Sequence, residues 1–95
     1  MKPARGKIIS LKKKKSSIVL KWKYQSKASG YEIYMSGKKK SGFIKIKTIK
    51  NTRKCSYIKN KINKKKKYYF KVRAYKTVSK KKIYGKFSDV KGWQA

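Results

Sequence analysis

The stretch that decides the fold reads YYFKVRAYK and spans residues 68–76. Apolar side chains recur there at every second position, and mostly basic or tyrosine side chains stand between them. Successive side chains of a β-strand point to opposite faces of the sheet, so this alternation predicts a strand with one buried face. The pattern assigns to the inward face Tyr68, Phe70, Val72 and Ala74. It assigns to the outward face Tyr69, Lys71, Arg73 and Tyr75.

Short stretches with the same period of two lie along the rest of the chain. They predict further strands at residues 6–11, 16–23, 30–36, 43–49, 54–59 and 83–93. No segment carries apolar residues at helical spacing over the length of a helix. A chain of 95 residues is enough for one small domain with a single core. The sequence therefore predicts an all-β fold, a seven-stranded antiparallel β-sandwich formed by residues 1–95 as one domain.

Four of these stretches, taken in order, resemble a fibronectin type III domain, which has an immunoglobulin-like sandwich fold. They read IVLKWK (18–23), ASGYEIY (28–34), FIKIKTI (43–49) and YYFKVRAY (68–75). The resemblance implies that Trp22 is the core tryptophan of the second strand. It also implies that Ile62 and Tyr68 form a tyrosine corner, in which the hydroxyl bonds to nearby backbone. The expected core contains Trp22, Tyr31, Ile33, Ile62, Tyr68, Phe70 and Val72.

The charge of the chain is its most unusual property. There are 32 Lys plus Arg against 2 Asp plus Glu, which gives a net charge of +30. Such a surface attracts polyanions of every kind, including nucleic acid, wall polymers, acidic glycans and anionic lipid. Like charge also discourages self-association, so the chain is expected to be a monomer.

Lysine runs fall between the predicted strands, where the ammonium groups stay in water. Connections alternate between the two ends of a sandwich of this topology, so three of the runs should share one end, which we call the lysine pole. Its residues are Lys12, Lys13, Lys14, Lys15, Lys38, Lys39, Lys40, Lys64, Lys65, Lys66 and Lys67. The run at 80–82 should lie at the opposite end. The lysine pole is either a polyanion-binding site or a set of solvated turns, and AT-rich codons could supply much of its lysine.

A second candidate site is the outward face of the third and sixth strands. Tyrosines interleave there with cations, a pattern that can stack on bases or sugars while pairing with phosphates. The residues concerned are Tyr34, Tyr69, Tyr75, Lys71 and Arg73. The alternative is ordinary cross-strand packing of tyrosine rings and lysine stems. Glu32 is expected to pair with Arg73 across these strands as an exposed ion pair worth about 0–1 kcal/mol.

Catalysis has few residues to work with. The chain has no histidine, one cysteine and two carboxylates, Glu32 and Asp89. An ordinary zinc site is excluded, and no Gly-rich phosphate loop occurs. Cys55 is expected to be a small packing residue, because a catalytic thiolate would need a base. We therefore expect no enzyme activity, no cofactor and no metal, and no apolar run is long enough for a membrane helix.

The function that follows from the resemblance is structural. The segment 68–90 is most similar to lysine-rich versions in Gram-positive surface and secreted proteins, where such modules act as spacers or accessory domains. The sequence thus predicts a non-catalytic module of a bacterial extracellular or cell-wall protein, with adjacent domains in a longer parent chain. The alternative is a salt-sensitive polyanion-binding module that uses the clustered lysines. A third hypothesis is that the chain is a scaffold whose surface was redesigned to high positive charge.

Overall fold

The computed structural model describes residues 3–62 and 66–93. Within these ranges the chain forms β-strands and no helix. The eight strands are β1 (Ile8–Lys14), β2 (Ser17–Trp22), β3 (Gly30–Ser36), β4 (Ile44–Ile49), β5 (Ser56–Lys59), β6 (Tyr68–Val78), β7 (Lys81–Tyr84) and β8 (Lys91–Trp93).

The strands build two antiparallel sheets. The first has the order β1-β2-β5, and the second has the order β4-β3-β6-β7 with β8 also paired to β6. The predicted all-β sandwich is therefore confirmed, with one strand more than expected. The extra strand arises because the stretch predicted at 83–93 divides after Tyr84. Gly85 and Ser88 still donate backbone hydrogen bonds to β6, at Ala74 O and Val72 O, but out of regular register.

Both sheets bury one face in a common core. Its fully buried side chains include Ile18, Leu20, Tyr31, Ile33, Phe70 and Val72. Of the residues named from the resemblance, Trp22 and Ile62 are also buried, and Tyr68 is half-buried against the core. The tyrosine-corner hydrogen bond of Tyr68 stays a prediction.

Tyr31 fastens the core to the connections at one end of the sandwich. Its ring packs edge-on against Trp22, with centroids 5.5 Å apart. Its hydroxyl accepts a hydrogen bond from Gln25 N at 2.9 Å and donates one to Thr52 O at 2.8 Å. Cys55 lies beside it, with Sγ 3.7 Å from the hydroxyl, and packs against the core. Burial raises the pKa of Tyr31 to about 12.

This raised pKa predicts a loss of stability at alkaline pH. The unfolded chain releases the tyrosine proton near its ordinary pKa of about 10, whereas the folded chain holds it to about 12. The unfolded state therefore binds fewer protons in this window, and the contribution of Tyr31 to stability is lost between pH 10 and 12. The free energy of unfolding of the native chain, measured with urea at several pH values between 9 and 12, should show this loss. Tyr31→Phe, which lacks the ionisable hydroxyl, is the reference. If both chains show the same pH dependence, the prediction is wrong.

Candidate functional site: the lysine pole and the two sheet faces

The three connections of the lysine pole meet at one end of the sandwich. Ile62 N donates to Ser16 O at 3.0 Å, which joins the β1–β2 turn to the β5–β6 connection. Ser17 Oγ adds a hydrogen bond to Asn60 Oδ1 at 2.9 Å. Ser36, at the end of β3, pairs with Tyr69 at the start of β6, so the β3–β4 connection lies at the same end.

The lysines of these connections point into solvent. Exposed at this end are Lys15, Lys38, Lys39, Lys40, Lys66 and Lys67. Lys64 and Lys65 lie outside the described residues. Ser36 shapes the β3–β4 connection, because its hydroxyl accepts from Lys38 N at 2.9 Å and donates to Ser41 O. The local backbone thus holds the three lysines of this connection away from the core.

Two runs differ from their predicted placement. Lys12, Lys13 and Lys14 are not in a turn, because β1 continues to Lys14 and pairs with β2 as far as Ser17. Similarly, Lys81 and Lys82 belong to β7, and only Lys80 lies in the β6–β7 turn. That turn has positive φ at Ser79 and Lys80, as tight two-residue hairpins require. It lies at the end opposite the lysine pole, where Thr77 N bonds to Ser29 Oγ at 3.0 Å.

The outer face of the five-stranded sheet is built around one buried acid. Glu32 is 0% exposed, and the Nε and Nη2 atoms of Arg73 both lie 2.9 Å from its Oε1. The ammonium groups of Lys45 and Lys82 approach its Oε2 to 3.6 and 3.7 Å. The predicted pairing of Glu32 with Arg73 is confirmed, but the prediction that the pair is exposed is wrong, because side chains from the neighbouring strands surround the carboxylate. The sequence signal was the rarity of acids, since one carboxylate among so many lysines attracts several of them.

Aromatic rings cover the cations on this face. Lys71 Nζ lies 4.0 Å from the centroid of the Phe87 ring, and the Arg73 guanidinium lies 3.7 Å from that of Tyr84. Arg73 also donates to the Tyr34 hydroxyl at 3.1 Å. Such cation–π contacts are each worth about 0.5–2 kcal/mol, depending on burial. Sequence reasoning missed Phe87 and Tyr84, because no local pattern shows that β7 and the segment after it place rings over the cations of β6.

The tyrosines of the second candidate site are partly or wholly covered. Tyr75, predicted to face outward and be available, is 4% exposed, with Lys82 Nζ 4.5 Å from its ring centroid. Tyr69 is half-buried and packs beside Gly92. A polyanion on this face would have to displace Arg73 from Glu32 or open these stacks. The arrangement therefore suits intramolecular packing better than stacking on bases or sugars.

Metal ligands, membrane-spanning helices and the second acid bear on the remaining classes of function. In residues 3–62 and 66–93, no group of three or more His, Cys, Asp or Glu could hold a metal ion. Over the same ranges, no helix is long and apolar enough to cross a membrane. The second acid, Asp89, is exposed and pairs with Arg5.

Comparison with known proteins identifies relatives by family and by fold. The family model for the fibronectin type III domain matches residues 2–86. Pectate lyase PelI from Erwinia chrysanthemi matches with a TM-score of 0.74 and 15% identity, over 94% of this chain and 27% of that chain. A myokine structure matches with a TM-score of 0.73 and 17% identity, over 98% of this chain and 97% of that chain. A fibronectin type III domain from the human KIAA0970 protein matches with a TM-score of 0.65 and 17% identity, over 93% of this chain and 72% of that chain. No curated protein matches. The three solved structures are at most 17% identical to this chain, so their similarity establishes the fold alone.

Proposed function

Because this chain belongs to the fibronectin type III domain family, we propose that it is a non-catalytic structural or accessory module of a bacterial extracellular or cell-surface protein. The match confirms the resemblance to the fibronectin type III family, and domains of this family are generally non-catalytic. The chain spans about a quarter of the two pectate lyases that it resembles, at 27% and 26% of their lengths. A similar unit can therefore occupy a small part of a larger chain, which supports the expectation of adjacent domains.

The lysine pole supports a second candidate function, which is binding of a polyanion. The observation that carries it is that both side-chain carboxylates are engaged elsewhere. Glu32 faces Arg73 on the outer face of the five-stranded sheet, and Asp89 pairs with Arg5. Among the described residues of the three connections, the exposed lysines at positions 15, 38–40, 66 and 67 thus have no acidic side chain to neutralise them. Uncompensated charge on three adjoining connections would raise the local concentration of a polyanion and bind it through release of its counterions.

A salt titration separates the two functions. Binding to duplex DNA, to a glycerol-phosphate polymer and to heparin is measured at increasing salt, with the native chain and with the fourfold variant Lys39→Ser, Lys40→Ser, Lys66→Ser, Lys67→Ser. If the pole binds, affinity falls log-linearly with salt, and the variant lowers the slope by about 3, from roughly 0.7–0.9 per lost contact.

The matched control removes the same charge at the opposite end. Lys23, Lys27, Lys50 and Lys54 are exposed there, and changing all four to serine should lower the slope far less. Equal losses in both variants would contradict a site at the pole. Equal weak binding to all three polymers, or none at physiological salt, would leave a charged spacer whose activity belongs to its neighbours.

A further inference from the structure

We propose that the outer face of the three-stranded sheet is a groove for a flexible phosphodiester polymer of the polyol-phosphate type. The proposal rests on the polyanion-binding function above, names its partner, and moves the lysines of the first run before Lys15 from the pole to a contact surface on the sheet. A groove of about 270 Å³ lies on this face. It is lined by Ser10, Lys12, Lys13, Lys14, Val19 and Lys21.

Strand register places three lysines together on this face. Lys12 stands opposite Val19, Lys14 opposite Ser17, and Lys21 opposite Ser10. Directly paired residues share a face, and the alternate residues Ile18, Leu20 and Trp22 fill the core. Lys12 and Lys14 are therefore separated by about 7 Å along the strand, and Lys21 lies diagonally across from Lys12. This corrects the interpretation of the first run, because its members at positions 12 and 14 belong to a sheet face.

Charge on this face is not neutralised in the way it is on the other sheet. The five-stranded sheet carries the buried Glu32 and several rings stacked on cations. On the three-stranded sheet, all of which the structure describes, the outward positions of β1, β2 and β5 hold serine, lysine, valine and isoleucine. The two faces of one domain thus treat cations differently: one sequesters them, and the other presents them to solvent.

The chemistry of the groove favours one kind of polyanion. Lysine ammonium groups bind phosphate as point charges and do not need the planar, forked geometry that arginine provides. No aromatic ring stands at an outward position of this sheet, so bases of single-stranded nucleic acid and flat sugar faces have no stacking platform. Val19 instead pairs with Ile58, which is 54% exposed, giving the groove an aliphatic border. A chain of phosphates joined by short aliphatic polyols matches both the lysines and the aliphatic border of the groove.

The groove also leads toward the lysine pole. β1 ends at Lys14, and the next residue, Lys15, turns the chain with φ of 55° at the pole. A flexible polymer on β1 can therefore continue onto the exposed lysines there, whereas a stiff duplex cannot follow the edge of so small a domain. Contacts on two adjoining surfaces raise the apparent affinity without any new type of interaction.

The test compares two triple variants that lose the same charge. The groove variant is Lys12→Thr, Lys14→Thr, Lys21→Thr, because threonine favours strands. The control is Lys23→Thr, Lys27→Thr, Lys50→Thr. The probe is synthetic poly(glycerol phosphate), with heparin and duplex DNA as competitors. We expect the groove variant to bind the probe at least about tenfold more weakly, with a salt slope lower by about 2. The control should change much less.

The possible results separate this proposal from the one on which it rests. If the native chain binds none of the polymers, the polyanion-binding function fails. If it binds but both triple variants lose affinity equally, or if DNA or heparin outcompetes the probe, the function stands and the groove assignment is overturned. Amide chemical shifts of the native chain, titrated with the probe, give a readout that does not depend on variant folding. Shifts centred on Lys12, Val19 and Lys21 support the groove, and shifts confined to the connections at residues 15–16, 37–43 and 66–67 contradict it.

Discussion

Glu32→Gln should lower the free energy of unfolding by about 3–5 kcal/mol, the usual cost of breaking a buried ion pair by removing one partner. Glu32 is fully buried, and the Arg73 side chain is only 21% exposed. The substitution keeps the shape of the side chain but removes the one negative charge that faces Arg73, Lys45 and Lys82. Three cations would then share one face of the sheet without compensation. Urea unfolding is the appropriate measurement, because urea adds no ions that would screen the repulsion.

The chain supplies its own control for this prediction. Asp89 and Arg5 form the other carboxylate pair, with side chains 78% and 59% exposed. Asp89→Asn removes the same charge from a solvated pair, so we expect a loss of at most about 1 kcal/mol. If the two substitutions cost the same, the stabilisation comes from net charge and not from the buried contact. Added salt should recover part of the loss in Glu32→Gln, since it screens the half-exposed lysines.

The contrast between the two acids explains how so cationic a chain can keep one sheet face packed. A net charge of +30 destabilises any compact state through self-repulsion. The five-stranded sheet lowers this cost locally by placing cations on rings and around one carboxylate. The outward lysines of the three-stranded sheet, Lys12, Lys14 and Lys21, are exposed to water, where solvation and salt reduce the repulsion. Cations that contact rings or a carboxylate and cations that remain in solvent thus lie on different faces of the domain.

The local period of two carries most of the fold. The third predicted strand, residues 30–36, has the same bounds as β3, and the inward residues of β6 are those that the alternation assigns. Period alone assigns a residue to a face but does not tell what covers that face. Lys82 of β7 contacts both Glu32 and Tyr75, and Phe87 lies over Arg73, although these residues come from distant sequence. The prediction that Lys12, Lys13 and Lys14 lie in a turn is wrong for a different reason. Lysine is compatible with both a turn and the solvent face of a strand, so the residue type does not decide between them.

Tyr75 shows how a second layer of packing can depend on a single glycine. It stands opposite Gly30 on β3 and opposite Tyr84 on β7. A Cβ at position 30 would lie 2.6 Å from the Tyr75 hydroxyl oxygen, so the ring fills the space that the missing side chain leaves. Burial accordingly raises the pKa of Tyr75. The sequence does not indicate that Tyr75 packs against Gly30, because a glycine at the start of a strand can also be an ordinary turn residue.

Gly30→Ala should therefore be among the most damaging small substitutions in the chain. The added methyl group would lie 2.2 Å from Ile49 O as well as against Tyr75, and the carbonyl belongs to the paired strand β4. Backbone in a sheet cannot move aside as a flexible side chain can. We expect a loss of about 3 kcal/mol or more in urea unfolding, at the upper end of the range for overpacking. Near-ultraviolet circular dichroism should also report a changed environment of the tyrosines.

Gly37→Ala is the matched control for this prediction. Gly37 follows β3 directly, is exposed, and would bring its new methyl group no nearer than 4.0 Å to Lys67 O. The same chemical change seven residues away should alter the free energy of unfolding by no more than about 0.5 kcal/mol. A small effect at both positions would mean that β4 shifts to accept the methyl group. In that case the close approach of β3, β4 and Tyr75 would not be what holds the outer face together.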